Sequence, residues 1–223
     1  MNQKPTFSYA LFDMDGLLLD TEIFYTKVTQ LIVGRFGKTF DWSLKSNMIG
    51  RPAIDSARYL VEQLELPITA EEYLEERNGL LKVEFANCEA LPGAQNLVRQ
   101  LHRNGIPIAL ASSSSYELYE IKSHKHRSWF DLFDAVVTGD NPKIKNGKPS
   151  PDIFLHAAKE LGAHAGATVV FEDAPSGLQA GKDAGMHVVV VPNPQMDKSR
   201  FQDADYILSS LEEFDTSLFG LGG

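Results

Sequence analysis

A chain of 223 residues can hold one domain with a sizeable insertion, or two modest domains. Its 43% hydrophobic and 23% charged content suits a globular protein with a real core, and its net charge of −9 argues against a general nucleic-acid or anionic-membrane surface. The single cysteine, Cys88, excludes an intramolecular disulfide and suggests no zinc cluster.

No uncharged apolar run approaches the ~18 residues that span a bilayer. The opening Met1-Asn2-Gln3-Lys4-Pro5 does not read as a signal peptide. The expected location is the cytoplasm and the default state a monomer.

Tyr9-Ala10-Leu11-Phe12 reads as a buried strand. Helical spacing follows at Phe24, Val28, Leu31, Ile32 and Phe36, then a loop around Asp41-Trp42, then helical spacing again at Ile54, Ala57, Leu60, Val61 and Leu64. Thr69-Ala70-Glu71-Glu72 is a capping-box pattern that opens a helix through about Phe85. With no convincing strand between 20 and 88, this stretch reads as a helical domain inserted after the first strand.

From Leu91-Pro92-Gly93 strands and helices alternate. The expected strands are 106–111, 133–138, 167–171, 187–191 and 206–208. The expected helices are 94–104, one from near Ser115, one from Ser150-Pro151-Asp152 with Ser150 as N-cap, and 176–184. The alternation predicts a mostly parallel α/β sheet covered on both faces. In such a sheet the ligand crevice lies beyond the carboxyl ends of the strands.

Those ends carry the chemistry. The first delivers Asp13 and Asp15, one residue apart before Gly16, so that two carboxylates can face one small volume. Clustered anions repel, and a hard divalent cation such as Mg²⁺ answers that repulsion; an acidic turn is the plainer reading. The strand at 106–111 leads into Ser112-Ser113-Ser114-Ser115, hydroxyls and N–H groups that suit phosphate oxygens or simply cap a helix. The strand at 167–171 delivers a second acidic pair, Glu172-Asp173. Lys148, in the rigid Gly147-Lys148-Pro149 loop, offers the positive charge that such a site needs.

Asp13-Met14-Asp15-Gly16 with Asp20-Thr21-Glu22, then Ser112, Lys148 and Glu172-Asp173, resemble in order and strand context the four motifs of the haloacid dehalogenase-like hydrolase superfamily in its phosphatase form. The resemblance covers essentially the whole chain. It implies a Rossmann-like core (1–19 and 89–223) with a small helical cap (20–88). It further implies Asp13 as nucleophile through an aspartyl-phosphate, Asp15 as general acid and then base, and Ser112 and Lys148 on the phosphoryl group. Mg²⁺ would be held by the Asp13 carboxylate, the Asp15 carbonyl and Asp173, with Glu172 acting through water. Gly16 would let the chain turn beside the ligand, and Ser113 and Arg51 would touch substrate.

Among neighbours in the superfamily, Asp15 argues against a true dehalogenase. The cap histidine and arginine of β-phosphoglucomutases are replaced by Tyr25 and Ala53, against a mutase. Phe12 to Glu22, Asn146-Gly147-Lys148-Pro149 and Val170-Phe171-Glu172-Asp173-Ala174-Pro175 are similar to the pseudouridine 5′-phosphatase group. The implied partner is a small sugar or nucleoside monophosphate. A mutase, or a catalytically silent protein of this fold, is the alternative. Trp42 or Tyr25 could face a nucleoside, and the histidines and Cys88 read as structural.

Overall fold

The computed structural model describes residues 6–49 and 52–219. β1 (Tyr9–Phe12) lies in the middle of a six-stranded, wholly parallel sheet with β2 (Ile108–Ser112), β3 (Ala135–Thr138), β4 (Thr168–Glu172), β5 (His187–Val190) and β6 (Tyr206–Ile207). The order is β3-β2-β1-β4-β5-β6. The chain therefore winds outward from β1 in one direction as far as β3, then returns to wind in the other direction from β4. That reversal beside β1 is where an open α/β sheet leaves a crevice.

Alternate residues of each central strand enter different cores, as a period of two requires. Ala10, Phe12, Ile108, Leu110, Val169 and Phe171 face one core, with Leu97, Leu101, Phe130 and Phe214. Leu11, Ala109, Ala111, Val170 and Val188 face the other, with Phe154, Ala157 and Leu178. Both faces being covered explains why these strands read as unbroken apolar runs.

Of the five helices described between β1 and β2, the first four form the insert: α1 (Glu22–Gly34), α2 (Trp42–Met48), α3 (Ala53–Leu64) and α4 (Ala70–Phe85). The expected capping box is present, with Thr69 accepting from the Glu72 amide and the Glu72 carboxylate accepting from the Thr69 amide. Two local readings of this insert need correction. The segment expected to loop at Asp41-Trp42 is the start of α2; Asp41 caps it by accepting from the Leu44 amide, a short helix that spacing alone did not reveal. Leu31, placed on the apolar face by spacing, is 57% exposed, because α1 buries Phe24, Val28, Ile32 and Val33 instead.

The chain enters and leaves this helical insert through adjacent segments. Leu19 and Ala90 form an antiparallel bridge, the Asp20 amide donates to the Glu89 carbonyl, and the Leu91 amide donates to the Leu18 carbonyl.

The remaining helices cover the sheet: α5 (Ala94–Arg103), α6 (Tyr116–Ser123), α7 (Arg127–Phe130), α8 (Asp152–Leu161) and α9 (Pro175–Asp183). Ser150 is not the N-cap of α8. Pro151 occupies that position with helical dihedrals, while the Ser150 hydroxyl donates to Asp152. Among the described residues, no helix is long and apolar enough to cross a membrane.

Candidate active site

Strand register assembles the site. Phe12 of β1 pairs with Phe171 of β4, and their rings stack 4.6 Å apart. The next residues, Asp13 and Glu172, therefore emerge side by side, and the Asp13 amide still donates to the Phe171 carbonyl at 3.0 Å. Asp173 follows one residue on.

Lys148 reaches in from the loop before α8. Its ammonium lies 2.5 Å from Asp13 Oδ1 and 2.5 Å from Glu172 Oε1, and donates to the Ala111 carbonyl at 3.1 Å. Glu172 Oε2 accepts from the amides of Asp173 and Ala174. Glu172 is thus satisfied on both oxygens, and its side chain is only 1% exposed.

Asp13, Glu172 and Asp173 each present a carboxylate oxygen within 4.8 Å of the others. One ammonium pairs with two buried carboxylates, Asp13 and Glu172, beside the half-buried Asp173, and the consequences are electrostatic. Burial, opposed by Lys148 and reinforced by the charges of Glu172 and Asp15, pushes the Asp13 carboxyl up to about 7. Burial and then the charges of Glu172 and Asp13 drive Asp173 well above the usual carboxylate range. Lys148 is raised despite its burial, because Asp13 and Glu172 stabilise its charge. An excess of buried negative charge, offered by hard oxygen donors, fits a divalent cation such as Mg²⁺.

Gly16 is required here by its backbone and by its surroundings. Its φ is +80°, and a Cβ would lie 2.4 Å from Asp173 Oδ2.

Asp15 stands outside that carboxylate triad. Its Oδ1 accepts from the Lys122 ammonium at 2.5 Å, and its Oδ2 accepts from the Ser114 hydroxyl at 2.8 Å, with Ser112 at 3.4 Å. Burial alone would raise this carboxyl. The charge of Lys122 and the hydrogen bonds from Lys122 and Ser114 outweigh burial and hold it below the usual range.

Ser112 is fully buried, with its hydroxyl occupied by Asp15 and by the Ser114 amide. Of the Ser112–Ser115 run, Ser113, Ser114 and Ser115 line the cavity. Arg51 lies outside the described residues.

The cavity measures about 1090 Å³ and lies between the strand ends and the helical insert. Asp13, Asp15, Lys148, Glu172 and Asp173 form its floor. Tyr25, Thr29, Lys45, Tyr73, Arg77 and Phe85 face them from the insert. The Thr29 and Tyr73 hydroxyls bond each other at 2.8 Å, and the Arg77 guanidinium lies over both tyrosine rings at 5.7 and 5.8 Å. Tyr25 therefore does face the cavity. Trp42 does not, and lines a separate 460 Å³ cleft with Met196 and Arg200.

The histidines stay away from the triad. His126 bonds the Cys88 carbonyl and His187 bonds Asp205. Cys88 is 1% exposed, and burial pushes its thiol up to about 12.

Lys122 was not singled out by sequence reasoning, and Ser114 was named only as part of the serine run. The available signal was Lys122 lying three residues after Tyr119 on the buried face of α6. The insert's contributors, Thr29, Lys45, Tyr73 and Arg77, lie within α1, α2 and α4 at positions that no catalytic motif marks.

The chain is similar to known proteins over nearly its whole length. Over 223 residues the chain is 46% identical to (DL)-glycerol-3-phosphatase 2 of Arabidopsis thaliana, covering 98% of this chain and 93% of that protein. It is 41% identical over 217 residues to a Drosophila melanogaster protein named as a probable pseudouridine-5′-phosphatase, covering 96% of this chain and 94% of that one. A crystal structure of a haloacid dehalogenase family hydrolase from Deinococcus radiodurans, with bound phosphate and sodium, superposes with a TM-score of 0.76 at 25% identity, over 95% of this chain and 94% of that one. Residues 7–185 match the haloacid dehalogenase-like hydrolase family, and the chain belongs to it.

Proposed function

We propose that the protein is a Mg²⁺-dependent phosphomonoesterase that works through an aspartyl-phosphate at Asp13. The observation that carries this reading is the Asp13 carboxylate. It sits at the sheet's switch point, bound on one oxygen by Lys148 and flanked by Glu172 and Asp173.

Lys148 holds Asp13 Oδ1, which leaves Oδ2 to attack phosphorus and form the covalent intermediate. Asp15 gives a proton to the departing alcohol and then removes one from the water that hydrolyses the intermediate. Lys148, Ser113 and Ser114 receive the phosphoryl oxygens, and Ser112 acts through Ser114 and Asp15. Asp13, Asp173, the Asp15 carbonyl and Glu172 through water would hold the Mg²⁺. When bound, the ion supplies positive charge that keeps Asp13 ionised and offsets its repulsion from a phosphate dianion.

The core comprises 1–19 and 89–223. Residues 20–88 act as a cap that closes over the substrate and excludes water, turning on the paired segments at Leu19 and Ala90.

The substrate is a small sugar or nucleoside monophosphate; the relatives named above point to glycerol phosphate and pseudouridine 5′-phosphate. The cavity is far larger than glycerol phosphate needs, and the half-buried ring of Tyr25 lines it, backed by the buried Tyr73 and Phe85. These features favour a nucleoside monophosphate. With Tyr25 facing the cavity where a mutase would carry its cap histidine, hydrolysis is favoured over phosphoryl return to sugar.

A panel of phosphate monoesters compared by kcat/KM, with and without Mg²⁺, tests the reading. Metal-dependent release of phosphate supports it, and no turnover of any ester with any divalent metal defeats it.

A further inference from the structure

Lys122 is a charge that the proposed chemistry does not use. Its side chain is wholly sealed from solvent, and it does not line the cavity, so it cannot touch substrate. Its ammonium donates to Asp15 Oδ1 at 2.5 Å and to the Ser114 hydroxyl at 2.8 Å, and it lies 4.2 Å from the centroid of Phe85, the last residue of α4.

Packing alone does not call for this lysine. Burying an ammonium costs several kcal/mol, which an ion pair at best offsets, and an apolar side chain of similar volume would fill the space without that cost.

The contacts on Asp15 are unequal. Oδ1 is held by an ammonium, whereas Oδ2 is held by hydroxyls, with Ser114 at 2.8 Å and Ser112 at 3.4 Å. Both sets are charge-assisted by the carboxylate, but only the Oδ1 partner carries a full opposite charge in a place sealed from solvent, so the hydroxyls on Oδ2 yield first. Ser114 also borders the cavity, where an incoming oxygen can replace its hydroxyl.

We propose that Lys122 is a positioning residue: it anchors Oδ1 of Asp15 so that Oδ2 is the oxygen that exchanges protons with substrate and water. Asp15 enters the cycle as a carboxylate paired with Lys122, and Oδ2 takes up the proton carried by a monoanionic phosphate ester. In the first step that Oδ2–H bond breaks as the ester P–O bond breaks, and the proton goes to the departing alkoxide. In the second step Oδ2 takes a proton from the water that attacks the aspartyl-phosphate and passes it to the departing phosphate, which restores the ionised starting state. Phe85 covers the anchor from the cap side, so cap position and Asp15 orientation meet at one ammonium.

This inference rests on the phosphatase reading, and its test separates the two. The full-length wild type and Lys122→Met are compared by kcat/KM, which reports phosphoenzyme formation, on glycerol phosphate and on p-nitrophenyl phosphate. The second ester's leaving group needs little help from an acid. General acid–base catalysis is worth about 10²–10⁴-fold, so misalignment is expected to cost the alkyl ester roughly 10–100-fold. The loss on the aryl ester should be at least about fivefold smaller, and inhibition by inorganic phosphate should change by less than about twofold.

In an Asp15→Asn background, Lys122→Met should add no further loss. If Lys122→Met does not fold, as judged by its melting curve, Lys122→Gln, whose shorter neutral amide takes the ammonium away from Oδ1, carries the same comparison. Equal losses on both esters, weakened phosphate inhibition, or an additive loss in Asp15→Asn would overturn the assignment. Absence of wild-type turnover on both esters with Mg²⁺ would instead defeat the phosphatase reading.

Discussion

Replacing Asp13 by asparagine should abolish turnover and, in the absence of metal, make the protein more stable. The carboxyl is pushed from 3.8 up to about 7, with burial as the largest cause. Its folded value lies above its unfolded one. The protonated group's stabilising contribution is therefore fully present below about pH 4 and is lost as the pH rises through about 7.

At 1.36 kcal/mol per unit, ionising Asp13 in the folded protein costs on the order of 4 kcal/mol at neutral pH and above. That is a ceiling, because the repulsion is shared with Glu172 and Asp173. Asparagine keeps the shape and removes the charge. For a chain of this length ~1 kcal/mol moves Tm by about 2–4 °C, so the variant should melt up to roughly 10 °C higher at pH 8 in chelator, with little difference at pH 4.

Mg²⁺ should reverse the ranking. A ligand at a hundred times its Kd adds about 2.7 kcal/mol, and the variant, lacking one carboxylate donor, should gain less. Thermal melts at pH 4 and 8, in chelator and in Mg²⁺, read all four conditions. A variant that melts at or below wild type at pH 8 in chelator, or a difference that does not grow with pH, refutes the electrostatic reasoning.

Other substitutions should behave as follows. Lys148→Met breaks a buried charge cluster and should cost about 3–5 kcal/mol in urea unfolding, with loss of turnover; an active, fully stable variant would contradict its placement. Gly16→Ala forces a side chain into left-handed backbone and against Asp173, so about 1–3 kcal/mol of strain and a large weakening of Mg²⁺ activation are expected in a metal titration. Thr69→Ala removes the cap of α4 and should cost ~1 kcal/mol by denaturant titration with turnover nearly unchanged. Tyr25→Ala should lower kcat/KM for a nucleoside monophosphate more than for glycerol phosphate; equal losses would remove Tyr25 from substrate selection.

What could be read in advance follows the period of the chain. The central strands are buried on both faces and announce themselves as apolar runs, and their ends carry Asp13, Asp15, Glu172 and Asp173 with no side chain between strand and chemistry. The capping box at Thr69 names its own helix. By contrast, α2 has only seven residues and no full apolar stripe, so Trp42 read as a loop. Pro151 takes the cap position that Ser150 was expected to fill. Lys122 stayed hidden because a lysine within a polar helix ordinarily points to solvent. Only the approach of α6 to Asp15, 107 residues away in sequence, buries it.

The account stands on Asp13 becoming covalently phosphorylated. Wild-type enzyme turning over a phosphate monoester with Mg²⁺ should be acid-quenched in the steady state, reduced with borohydride, and mapped by peptide mass spectrometry. Conversion of the Asp13 acyl-phosphate to homoserine, absent without substrate, is the predicted result. Robust turnover with an unmodified Asp13, or modification at another residue, would contradict it.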